Sequence, residues 1–331
     1  EYGFPSWTKL VESVGPQLDS VRSFKRAIEH GDTENMRRLL AEHPKLLEHP
    51  FEWIDPEGRR RHITPIRHAF NCDQRASFDV LTGAGVQPRE LQHILWCNAY
   101  NMDLPRARKT LSWGIQPNTA LGVALHHAGT ARHELIELLI DAGADAQDGP
   151  VLDLHRGRLA SLKKRLKADP ALSRQSFFDT CYQLPTSGTL LHVASAHNEI
   201  AAIDLLIAHG ADIDAAGPIH EEGANEDDFR PDMHRFVTKY RGTGRQTPIY
   251  YTIGRPYASC YEAFERLLSH GPDLSVRAAC LVDGRIQELT PLGYACAVNM
   301  RGPNLGRSNM SMHETRQREI DRLRELGAPE V

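Results

Sequence analysis

Short apolar clusters with a helical period, separated by polar breaks and glycines, run along most of the chain. In Gly188–Ala215, GTLLHVASAHNEIAAIDLLIAHGADIDA, the residues Leu190, Leu191, Val193 and Ala194 form one apolar cluster. After a polar break, Ile200, Ile203, Leu205, Leu206 and Ile207 form a second, closed by His-Gly-Ala-Asp. This spacing predicts two short helices joined by a tight turn. The second ends at a glycine free to take a left-handed conformation. Helices this short cannot bury their apolar faces alone, so stacking on neighbouring pairs is also predicted.

The phrase recurs. It is legible over Ile63–Gly85, Thr119–Asp145, Gln246–Asp273 and Leu289–Ala328, the last with an insertion. Weaker copies cover Phe24–Pro44, Leu91–Pro117 and Val151–Pro170. Between copies, Phe51–Ile63, Phe177–Leu190 and Val276–Leu289 read as β-hairpins, with Asp283-Gly284 a two-residue turn signal in the third. One polar, glycine-rich insertion, Gly217–Arg245, is far longer than an ordinary connection and is expected either to be disordered or to act as a lid or binding flap.

Several copies carry the same local residues: Thr64-Pro65, Thr247-Pro248, Thr290-Pro291, Leu191-His192, Gly143-Ala144-Asp145 and Gly210-Ala211-Asp212. These resemble the ankyrin-repeat signature T-P-L-H-x-A-A followed by G-A-D, over nearly everything from Phe24 to Ala328. Few copies keep the usual spacing, and several loops are long. The resemblance implies an all-α fold: an ankyrin-repeat solenoid of about seven or eight helix pairs, with β-hairpin fingers and one long inserted loop. Residues 24–331 would form the array, with 1–23 as an N-terminal helical segment. EYGFPSWTKL at the start resembles the helical end that precedes ankyrin arrays in some bacterial proteins.

The resemblance further implies that the positions just past each first helix look into a concave groove and vary with the ligand. Reading that slot gives Glu29 and His30, Asn71 and Cys72, Tyr100 and Asn101, His126 and His127, His155 and Arg156, Ala196 and His197, and Gly254 and Arg255. The row is rich in imidazole, guanidinium and amide groups. By contrast His192 sits at the structural histidine of the signature, and Thr64, Thr189, Thr247 and Thr290 read as cap residues. His209 and His270 end second helices, where a cation suits the dipole. His43, His49 and His133 read as exposed.

Composition narrows the function. With 40% hydrophobic and 25% charged residues in 331, the chain is globular. A net charge of -4 gives no strong case for nucleic acid, and no apolar run is long enough for a membrane span. The six cysteines, Cys72, Cys97, Cys181, Cys260, Cys280 and Cys296, are scattered without a C-x-x-C pair. They read as small buried hydrophobes in a reducing, cytoplasmic setting. No dinucleotide, Walker A, nucleophile-elbow, HExxH or EF-hand motif is present. No cofactor or metal is expected. Zinc is the ion an imidazole set would select, but His126 and His197 stand two repeats apart, so the row alone would be strained around one ion. His220 or His234 from the insertion would have to complete the set.

Two functions follow. In the first, the groove binds a protein or peptide partner, with Trp53, Trp113 and Tyr100 as aromatic anchors. In the second, fingers and lid enclose a small anionic or sugar-like molecule. His126, His127, His155 and His197 then serve as general acid and base of a lyase, isomerase or hydrolase. Tyr100, Asn101, Arg156, Arg255, His220 and His234 would bind the ligand, the arginines as an anion clamp.

Overall fold

Apolar spacing translates into helix pairs, which the computed structural model describes for residues 7–54, 58–127, 129–181, 184–217, 219, 243–253, 260–282, 284–299 and 309–330. The pairs are α1 (Trp7–His30) with α2 (Thr33–Glu42) and α3 (Pro65–Asn71) with α4 (Arg75–Gly83), followed in the chain by α5 (Arg89–Tyr100) and α6 (Leu104–Leu111). Next come α7 (Asn118–His126) with α8 (Arg132–Asp141), α9 (Pro150–His155) with α10 (Leu159–Ala168), and α11 (Leu190–Ala196) with α12 (Ile200–Ala208). A 3-10 turn, Pro248–Tyr251, takes the first-helix place before α13 (Tyr261–Ser269), and α14 (Pro291–Asn299) pairs with α15 (Asn309–Glu325). Helix α1 runs unbroken through residue 23, so the N-terminal segment and the first copy share one helix.

The chain divides into two compact units, Glu1–Cys97 with Arg108–Gln116, and Asn98–Ala107 with Pro117–Val331. In the first, α1 packs on α3 and α2 on α4. Its core includes Phe24 edge-on to Phe51 at 6.3 Å. Trp113 stands edge-on to both Phe70 and Phe78, each at 5.1 Å. Trp113 is only 6% exposed, so the expected surface anchor is a core residue. The apolar spacing of its neighbours draws the indole inward.

In the second unit the stacking runs along two rows. The first helices α9, α11, the 3-10 turn and α14 follow one another, as do the second helices α10, α12, α13 and α15. Their shared core includes Leu154, Leu191, Leu206, Tyr250, Phe264 and Leu323. Local chemistry fixes the starts and stops. Thr189 and His192 form a reciprocal cap at the start of α11, the threonine N–H donating to His192 Nδ1 at 3.0 Å. The opposite ring nitrogen of His192 donates to the Gln246 carbonyl at 3.0 Å, tying one repeat to the next. After α12, Gly210 takes φ +81°, the left-handed stop its sequence position predicts.

All three hairpins form. Strands β1 (Phe51–Ile54) and β2 (Arg60–Ile63) pair from Phe51 opposite Ile63 to Ile54 opposite Arg60. Strands β3 (Ser176–Cys181) and β4 (Leu184–Thr189) pair from Ser176 opposite Thr189 to Cys181 opposite Leu184. Strands β5 (Ala278–Val282) and β6 (Arg285–Leu289) pair from Ala278 opposite Leu289 to Val282 opposite Arg285. The ends of the long insertion are tied together: Gly217 N–H donates to the Gln246 carbonyl at 2.9 Å, and Arg245 N–H to the Gly217 carbonyl at 3.0 Å. The expected lid itself lies outside the described residues, as do Arg255, His220 and His234.

Candidate functional site: a buried polar cluster behind the predicted row

The backbone gives the row a register. In five copies the residue after the slot is left-handed: Gly31 (φ 68°), Asp73 (59°), Met102 (56°), Gly157 (63°) and Asn198 (57°). Each lets the chain reverse from first helix to second. In the His126–His127 copy the left-handed residue is Gly129 (φ 87°), so that turn carries an additional residue.

That longer turn crosses to a distant repeat. The Gly129 N–H donates to the His197 carbonyl at 2.7 Å. In return, His197 Nδ1 donates to the His127 carbonyl at 2.8 Å. The two-repeat gap expected to keep these segments apart is therefore bridged. Between them lies α9, only six residues long, ending in His155. The His155 and His197 rings meet edge-on, their centroids 4.6 Å apart.

Arg132, the first residue of α8, binds this junction. Its Nη1 donates to the His127 carbonyl at 3.0 Å and to His155 Nδ1 at 2.8 Å. Its Nη2 donates to Glu199 Oε1 at 2.8 Å, and the same oxygen is 2.7 Å from His133 Nε2. A guanidinium only donates and a carbonyl only accepts. The bonds therefore place the proton of His155 on Nε2 and a proton on His197 Nδ1. Arg132 and Glu199 have side chains 0% and 6% exposed. Removing charges from water is costly, and the pair is tolerated because partners surround it. Burial pushes the Glu199 carboxyl upward, but the bonds from His133 and Arg132 outweigh that and hold it below its ordinary value. His127 is pulled below its ordinary value by burial and by the neighbouring His126 and Arg132 charges, against an opposing bond to the Tyr100 backbone.

The predicted site residues thus separate into three groups. His155 and His197 are buried, at 2% and 0% exposure, and do not line an open groove. This corrects their expected placement: the two rings pack on each other and bond to Arg132 and the His127 carbonyl. Arg156, expected as an anion clamp, is already engaged. Its Nε donates to Glu137 Oε1 at 2.7 Å, its Nη2 reaches Oε2, and Arg158 donates to the same carboxylate. The Arg156 and Arg158 bonds hold Glu137 down at about 2, against burial. The third group reaches the surface. Asn101 is exposed, and Tyr100, His126 and His127 are half-buried. The Tyr100 and His127 rings stand edge-on at 5.7 Å, and His126 Nδ1 donates within its own helix to the Gly122 carbonyl at 2.5 Å. Among the described residues, no group of three or more His, Cys, Asp or Glu side chains converges as a metal site requires.

Arg132, Glu199 and His133 escaped the sequence reading, which took His133 as exposed. The available signal was positional. Arg132 opens α8 and Glu199 directly precedes α12, so opposite charges occupy nearly the same place in two repeats.

Comparisons with known proteins agree with the repeat. Residues 188–218 match the ankyrin-repeat family model. The human ASB11 ankyrin repeat domain is 14% identical, with 89% of this chain and 96% of that one covered at a TM-score of 0.26. The ankyrin repeat domain of Bcl-3, a member of the IkappaB family, is 14% identical, with 91% and 97% covered at a TM-score of 0.29. At these scores neither superposition carries an argument. The matched segment and the recurring capped helix pairs do. No curated protein matches the chain.

Proposed function

We propose that this chain, an ankyrin-repeat protein, is a binding module that engages a protein partner through the polar strip formed by Tyr100, Asn101, His126 and His127. The observation carrying this reading is the division of labour within the row. Of the four imidazoles expected as acid and base, two, His155 and His197, are buried and bonded to Arg132 and to the His127 carbonyl. Arg156 is neutralised by Glu137. What reaches the surface is an aromatic ring, an amide and two imidazoles, groups suited to hydrogen bonding and packing against another protein. His155 and His197 then serve as struts that hold the turn carrying His126 and His127.

Affinity capture with the full chain tests this. Partners retained by the wild type and lost with the Y100A/N101A variant, at unchanged thermal stability, support the strip as the contact surface. An identical set of captured proteins with both chains removes it.

A further inference from the structure

The bond between Arg132 and His155 can run in one direction only. A guanidinium donates and never accepts, so His155 Nδ1 accepts from Arg132 Nη1 at 2.8 Å, and the ring is neutral while that bond stands. An imidazolium carries a proton on both nitrogens, so turning the ring over would offer Arg132 no acceptor. Protonated, His155 would meet Arg132 donor to donor and cation to cation, with both side chains buried.

Among the described residues, each anion close to α9 already has its partners. Helix α9 packs on α8, α10 and α11. Glu199 is shared by Arg132 and His133, and Glu137 of α8 by Arg156 and Arg158. Asp153 of α9 itself is bonded by Ser161 and Arg165 of α10. Glu134 and Asp141 of α8 and Lys163, Lys164 and Lys167 of α10 are exposed. On α11, His192 is committed to Thr189 and the Gln246 carbonyl. The group in ring contact with His155 is another imidazole, His197.

The turn between α7 and α8 hangs on the same atoms. Two hydrogens on Arg132 Nη1 serve two acceptors, His155 Nδ1 and the His127 carbonyl, the latter at 3.0 Å. The His127 carbonyl also accepts from His197 Nδ1, and the Gly129 N–H donates to the His197 carbonyl. A guanidinium driven away from His155 therefore pulls on the carbonyl that anchors the turn.

We propose that this junction is a proton-operated latch: protonation of His155 unfastens Arg132 and frees the turn that carries His126 and His127. The closed arrangement holds His155 without its second proton and the open one does not, so acid favours the open form. Its consequence, weaker partner binding in acid, rests on the contact strip proposed above.

The test needs no partner, so it stands or falls apart from that strip. Amide exchange of the full chain is followed residue by residue by NMR at pH 7.5, 6.5 and 5.5, scaled for the intrinsic pH dependence, beside the ring-nitrogen signals of His155. Protection of the Gly129 amide is expected to fall about tenfold from pH 7.5 to 5.5, with the midpoint at which the His155 ring gains its proton. The Leu206 amide, inside α12, is expected to keep its protection. In His155→Asn the side-chain oxygen takes the Nδ1 place and accepts from Arg132 without titrating, so Gly129 is expected to be equally protected at all three pH values. A His155 ring that gains its proton while Gly129 stays protected would overturn the proposal. So would a ring that stays neutral until the whole chain unfolds, or an H155N chain that loses Gly129 protection in acid as the wild type does. The ring titration uses the wild type alone, so it decides even if H155N does not fold.

Discussion

Arg132 and Glu199, the leading charges of two second helices 67 residues apart in sequence, are joined at 2.8 Å inside the fold. Removing either strands the other without its counter-charge. Arg132→Met and Glu199→Gln should each cost about 3–5 kcal/mol, and the double variant less than their sum. Urea unfolding followed by circular dichroism measures all three. Additive costs would show that the pair is not coupled.

The His192 imidazole predicts a pH dependence. Burial holds it down at about 4, against an ordinary 6.5. As pH falls, the unfolded chain takes up this proton first, so stability drops between about pH 6.5 and 4 and is fully present above that window. The share from His192 is about 3 kcal/mol. His68 and His127, also lowered by burial, add in the same direction. The His192→Asn variant should be less stable at pH 7.5 and lose less on acidification. Equal losses in both chains would contradict this.

Glu137 acts in a lower window. Its folded value near 2, against 4.5, reflects the bonds from Arg156 and Arg158. The stabilisation is present above about pH 4.5 and disappears as pH falls towards 2. Glu137→Gln should cost about 1 kcal/mol at pH 7. The gap should close near pH 2, and chemical unfolding at the two pH values checks it.

Trp113 tests the corrected core. With Phe70 and Phe78 at 5.1 Å, Trp113→Ala should cost about 3–5 kcal/mol. A surface anchor would cost little stability, so the melting temperature of this variant separates the two placements.

The repeat was legible because each copy carries its own local chemistry. Thr189 with His192, and Gly210, set a helix start and a helix stop through contacts within a few residues or one repeat away. The hairpins were equally local, as at Gly284, which takes φ +75° in the turn joining β5 and β6. What escaped was long-range. Nothing near His197 announces that its ring nitrogen reaches a carbonyl 70 residues earlier. Slot position alone gave His155 and His197 a groove-facing role. The contacts of both rings with residues of other repeats, Arg132 and the His127 carbonyl, reversed it. Trp113 was misplaced for a related reason: its burial depends on Phe70 and Phe78, which belong to another repeat.

The most direct test is the affinity of the captured partner for His197→Leu, measured by titration calorimetry at a temperature where the variant is folded. A buried strut that holds the His126–His127 turn predicts that affinity weakens only together with stability. The variant should at the same time lose about 1–3 kcal/mol of stability with the His127 bond. A variant of wild-type stability that no longer binds the partner would make His197 a contact residue and contradict the account.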